Sequence, residues 1–245
     1  MSPESISSFP GLELCRDDVR PAAWVRPALK SWAHDRPVRV SSFVPAAYPA
    51  HGRIFHRTVT ASDDPIRWRE IADRTGKTLD GRTRYSDLIG WYATNDHQSP
   101  PAPWGAPEEG TLERDECEAV SDVLSRFTTT PGSCWFGIWE GYGSDRLRAL
   151  GTDAPRVRHD NRDYLLFHGR VSAATAFHVD QRFQSPTMWW PDDRAWFVST
   201  DLDDRSSYLG ASPEALQALI AHPDLEVLEC APDQPIDTSP WGRPS

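Results

Sequence analysis

The densest set of groups with chemical potential surrounds the segment Ala195 to Thr200: Asp192 and Asp193 precede it, and Asp201, Asp203 and Asp204 follow. In an extended chain Asp201 and Asp203 project to one side, as an oxygen-liganded Mg2+ or Ca2+ requires. The run lacks the regular ligand positions and terminal Glu of a calcium loop, and a solvated Asp-rich turn is the competing reading. Glu140 is the second candidate, because it follows the aromatic run CWFGIW and precedes Gly141. Apolar rings beside a carboxyl raise its pKa and suit it to acid–base work; pairing with an arginine such as Arg162 or Arg194 is the plainer alternative. His51, His56, His168 and His178 lack the i, i+4 spacing of a helical zinc pair. The catalytic set expected from the sequence is therefore Glu140, Asp201, Asp203 and His168, with no resident metal or cofactor assigned.

A search for a nucleophile finds no GxSxG elbow, and no cysteine stands in a protease or glutaminase context. Tyr208-Leu209-Gly210-Ala211-Ser212 precedes a helical pattern and offers an anion loop, though it has one glycine and an ordinary Ser cap explains it equally. The tryptophans are more informative. Trp135, Trp139, Trp189, Trp190 and Trp196 crowd the second half, and aromatic walls with polar tips are a common way to hold a ligand. Trp135, Trp139, Trp189, Trp190, Arg194 and Tyr208 form the expected ligand-binding set, against the reading that the rings fill a core.

Composition narrows the classes of partner. A formal charge of −10 repels a phosphate backbone, so nucleic acid is disfavoured. Hydrophobic residues make up 38% of the 245 positions, with 11 tryptophans among them, enough to build a core. Cys15, Cys117, Cys134 and Cys230 are too widely spaced for a zinc or dithiol motif and are expected to be reduced. No apolar run approaches the roughly 20 residues of a membrane span, and the first ten residues lack signal-peptide blocks, which predicts a cytoplasmic protein.

The elements that must position these groups read as α+β, with a mixed or antiparallel sheet, packing helices, and two lobes joined by a Pro-rich connector. Residues 1–36 form a leader or docking arm, 37–97 a small lobe, 98–110 the connector, 111–235 the main lobe and 236–245 a tail. Val38 to Val44 alternates as a strand and forms a long-looped hairpin with Arg53 to Thr60. Asp64-Pro65 opens a helix that Gly76 stops, with Ile66, Ile71 and Ala72 inward. Trp104 is expected to hold the connector against a groove. Leu112 to Phe127 is a helix with acids in its first turns, and Cys134 to Trp139 a strand buried on both faces. Arg156 to His159 and Tyr164 to His168 flank an Asp160-Asn161 turn. Ala195 to Thr200 is a strand, Ser212 to Ala221 a helix, and Leu225 to Leu228 a returning strand.

The segments CWFGIWEGYG, YLLFHG, SPTMWWPDDRAWFVSTDLD, SSYLGASPEAL and HPDLEVL together resemble a widespread set of uncharacterised actinobacterial proteins. The resemblance covers most of the second half and, more loosely, Val38 to Trp104. It implies a domain type and a bacterial cytosolic setting and carries no catalytic residues. Where those proteins tend to have Gly-Gly-Ser before the final helix, this chain has Gly210-Ala211-Ser212, which weakens an anion loop. The functional expectation is a non-catalytic recognition or interaction protein with an aromatic and arginine-lined groove for a protein or small-molecule partner. The alternative is a metal-assisted or carboxylate-based hydrolase or transferase.

Overall fold

The computed structural model describes residues 9–33, 37–92, 103–179 and 181–236. Parts of the expected arm, small lobe, connector and tail (1–8, 34–36, 93–102 and 237–245) lie outside the described residues. In chain order the strands are β1 (Leu12–Leu14), β2 (Ala50–Phe55), β3 (Thr58–Val59), β4 (Pro65–Ile66), β5 (Cys134–Trp139), β6 (Val157–His159), β7 (Arg162–Gly169), β8 (His178–Val179), β9 (Arg182–Phe183), β10 (Met188–Pro191), β11 (Phe197–Thr200), β12 (Ser206–Ala211) and β13 (Val227–Glu229). The helices are α1 (Val25–Ala28), α2 (Trp68–Thr75), α3 (Tyr85–Ile89), α4 (Arg114–Leu124), α5 (Asp145–Gly151) and α6 (Pro213–Ile220).

The class is α+β, built on a nine-stranded antiparallel sheet in the order β1-β7-β5-β10-β11-β12-β2-β13, with β6 also paired to β7. Alternation along each strand sends two sets of side chains to opposite faces. Phe136, Leu165, Phe167, Trp189, Val198 and Leu209 join the core that includes α4 and α6. Tyr164, Leu166, Met188, Trp190, Phe197 and Tyr208 join a second core covered by Val25 and by Val38, Val40, Phe43 and Val44. Because both faces are covered, β5, β10 and the middle of β7 read as nearly continuous apolar runs rather than alternating ones. Gly52 eases this closeness: a Cβ there would meet Leu216 Cδ1 at 2.5 Å and Leu209 Cδ2 at 2.7 Å, so a larger residue would make those leucines shift.

Several expectations need correction. Val38 to Val44 is not a strand. Its buried residues Val40, Phe43 and Val44 recur at the spacing of a tight helical turn, and Val40–Ser42 forms a 3-10 turn. Pro65 does not start a helix but pairs in β4 with β3. Helix α2 begins at Trp68, where the Glu226 carboxylate accepts from the Trp68 and Arg69 amides at 2.8 and 3.0 Å. That cap comes from 158 residues away, so no local signal announces it. Gly76 does end the helix, in the left-handed conformation at φ 67°. The two expected lobes share one sheet, because β2 from the first half lies between β12 and β13 from the second.

The N-terminal segment is built into this frame. β1 pairs with β7, while Trp24 packs edge-on against Trp190 and Phe197 at 5.8 and 5.7 Å. Asp160, at φ 50° in the β6–β7 turn, closes a clasp on the segment: it accepts from Ser31 Oγ at 2.8 Å and from the Trp32 and Ala33 amides at 2.7 and 3.2 Å. Trp104 lies against α2, bridged to Thr60 and with Arg74 over its ring at 5.5 Å.

Candidate functional site

The acidic set is ion-paired rather than open. Arg162, at the start of β7, donates through Nη1 to Asp201 Oδ2 at 2.5 Å and lies 3.9 Å from Asp203. Asp201 is buried and its other oxygen accepts the Asp203 amide at 3.1 Å, so both of its oxygens are engaged. Asp203 is exposed, and burial of its environment together with the Asp201 charge raises its pKa. Glu140 accepts from Arg156 Nε at 2.5 Å, which is the arginine pairing foreseen as its alternative role, with a different arginine.

His168 does not join these acids. It sits across from Trp135 in the β5–β7 register, whereas Glu140 follows Trp139 at the other end of β5, roughly 16 Å away along the strand at the usual rise. There its Nε2 is 2.9 Å from Ser133 Oγ, and its ring lies 4.4 Å from that of Trp135. The four residues expected to act together thus occupy two ends of the sheet. Nor do the other histidines converge. His51 bonds the Pro45 carbonyl at 3.1 Å, His178 lies 2.7 Å from Arg114, and buried His56 sits between the Glu108 carbonyl and Ser207. Among the described residues no group of three His, Cys, Asp or Glu could hold a metal ion.

The aromatic block is core. Trp189 and Trp190 are 0% and 1% exposed, Trp196 and Tyr208 are equally sealed, and none of the four can touch a ligand in this state. The reason is the two-sided cover of the sheet, which uses successive rings of Met188-Trp189-Trp190 for opposite cores. Trp135 and Trp139 remain partly exposed, and Trp135 Nε1 donates to Asp192 at 2.9 Å. Arg194 lies over the Trp24 ring at 4.8 Å, which fastens the N-terminal segment. The anion loop is also absent: residues 206–211 are the buried strand β12, and Ser212 caps α6 by accepting from the Ala215 amide at 3.2 Å.

An opening that the sequence did not announce lies elsewhere. The N-terminal segment and the start of β6 leave a cleft of about 570 Å³ between them, within the range of small-molecule sites. Its apolar walls are Val19, Ala22, Ala23, Pro155 and Val157. Its charged groups are Asp17, Asp18, Arg20 and Arg26 from one side and Arg156 and Arg158 from the other. The local cause is legible after the fact: Arg156-Val157-Arg158 alternates as an edge strand with Val157 inward, and the segment opposite presents alanines that are too small to close the gap. Arg156 links the cleft to Glu140, the one expected acid near it.

Compared with family models, curated proteins and solved structures, the chain matches none of them.

Proposed function

We propose that the protein is a non-catalytic recognition protein that holds a small ligand, or a short segment of a partner, in the cleft between residues 17–26 and 155–158, and that it works in the cytoplasm. The supporting observation is the cleft itself, which combines apolar walls with guanidinium and carboxylate groups from two separate parts of the chain. The acidic balance of the chain disfavours a nucleic acid.

Thermal unfolding of the full chain in fractions of a bacterial metabolite extract tests the reading, since a ligand that binds only the native state raises the midpoint. A stabilising fraction whose effect disappears in Ala23→Trp, a substitution at an exposed wall residue that fills the cleft, supports it. Mass spectrometry of the recovered ligand then separates recognition from catalysis: an unchanged molecule supports recognition, and conversion to a product overturns it in favour of a hydrolase or transferase. Absence of any stabilising fraction, or stabilisation that survives Ala23→Trp, removes the cleft from consideration.

A further inference from the structure

Three of the four arginines that line the cleft already have carboxylate partners. Arg20 pairs with Asp18 at 2.8 Å, Arg156 with Glu140 at 2.5 Å and Arg158 with Asp163 at 3.0 Å. What remains is one cation, Arg26, and one anion, Asp17, both exposed and neither with a hydrogen-bond or ion-pair partner among the described residues. They face the same cleft without pairing to each other. A simple anion in that space gains from Arg26 and is opposed by Asp17; a simple cation meets the reverse. A molecule that carries both charges satisfies both, and the apolar walls accept the body between them.

We infer that the cleft selects a zwitterion with an apolar body, of di- or tripeptide size, with its carboxylate toward Arg26 and its ammonium toward Asp17. This deepens the recognition reading and rests on the cleft being the binding site. The volume of about 570 Å³ exceeds what a single amino acid fills and suits a short peptide. The planar guanidinium offers a carboxylate two parallel donors, which a neutral amide end cannot match.

The test is calorimetric titration of the full chain with the dipeptide Leu-Leu in four forms: free, N-acetylated, C-amidated and blocked at both ends. The free form is expected to bind tightest, and blocking either end to weaken binding roughly tenfold, the usual scale for one hydrogen bond to a charged group. Arg26→Gln should weaken the free form equally and abolish the difference between acid and amide. Asp17→Asn should abolish the difference between free and acetylated forms. Both residues are exposed, so unchanged thermal midpoints of the variants confirm that their folds are intact. Equal binding of all four forms, or tightest binding by a singly charged form, overturns the zwitterion inference while leaving the cleft as a site. If no form binds, the inference also falls; the recognition reading then stands or falls separately, on whether an extract fraction gives stabilisation that Ala23→Trp removes.

Discussion

Arg162 and Asp201, 39 residues apart, meet at 2.5 Å where β7 begins and β11 ends, and the Arg162 guanidinium also lies 4.9 Å from the centre of the Trp32 ring. One arginine thereby joins the acidic turn after β11, the sheet and the N-terminal segment.

Because this pair is largely buried, removing one partner strands the other charge. Arg162→Met is expected to cost about 3–5 kcal/mol, and replacing both residues by apolar ones of similar volume far less. Urea unfolding of the single and double variants measures the difference. A double-variant loss equal to the sum of the two single losses would show that the pair has no coupling.

His56 sets an acid limit. Burial, with the nearby Arg53 and Arg205 charges and against the bond to the Glu108 carbonyl, lowers its pKa to about 4 from an ordinary 6.5. The fold holds the neutral ring, so this stability is complete above pH 6.5 and is lost as pH falls toward 4, by at most about 1.4 kcal/mol per pH unit. The stability difference between wild type and His56→Gln should shrink over that window in denaturant titrations at stepped pH.

Glu116 acts in the opposite direction. Its carboxylate accepts from the Glu113 and Arg57 amides at 3.2 and 3.3 Å, which fastens the start of α4 to the chain after β2. Burial, opposed by the Arg57 charge and these donors, still pushes it up to about 7. The protonated form is favoured in the fold, so its contribution is complete below pH 4.5 and is lost as pH rises through 7. Glu116→Gln should gain stability relative to wild type across that rise, and a parallel pair of pH profiles would contradict the assignment.

Asp160 is the clasp on the N-terminal segment. Burial works against its ionisation, but donors from Ser31, Ala33 and Trp32 and the charge of His159 hold its pKa below the ordinary value. Asp160→Ala should raise hydrogen exchange at the Trp32 and Ala33 amides roughly tenfold, a modest effect because the site is exposed. The wild-type clasp should stay closed above pH 4 and loosen only as pH falls below that.

Trp190 should behave as a core residue. It stacks on Phe197 at 5.5 Å with an interplanar angle of 11°, and Trp24 closes over it. Trp190→Ala is expected to cost about 3–5 kcal/mol, read as a shift of the urea midpoint.

Much of the local structure was written in short stretches of the chain. The CWFGIW run became β5, Asp160-Asn161 became the turn between β6 and β7, Gly76 stopped α2 and Ser212 capped α6, because each depends on neighbours a few residues away. The α+β class follows from those elements together. Tertiary structure alone decided which tryptophans are sealed, since Trp189 joins the core with α4 and α6 while Trp190 joins the core covered by Val25 and by Val38 to Val44, all distant in sequence. It likewise decided that Glu140 pairs with Arg156, Asp201 with Arg162, and that Asp17 and Arg26 face one cleft. A carboxylate's chemistry depends on the charge within a few ångströms of it, and in this fold that charge comes from strands and turns that sequence spacing does not bring together.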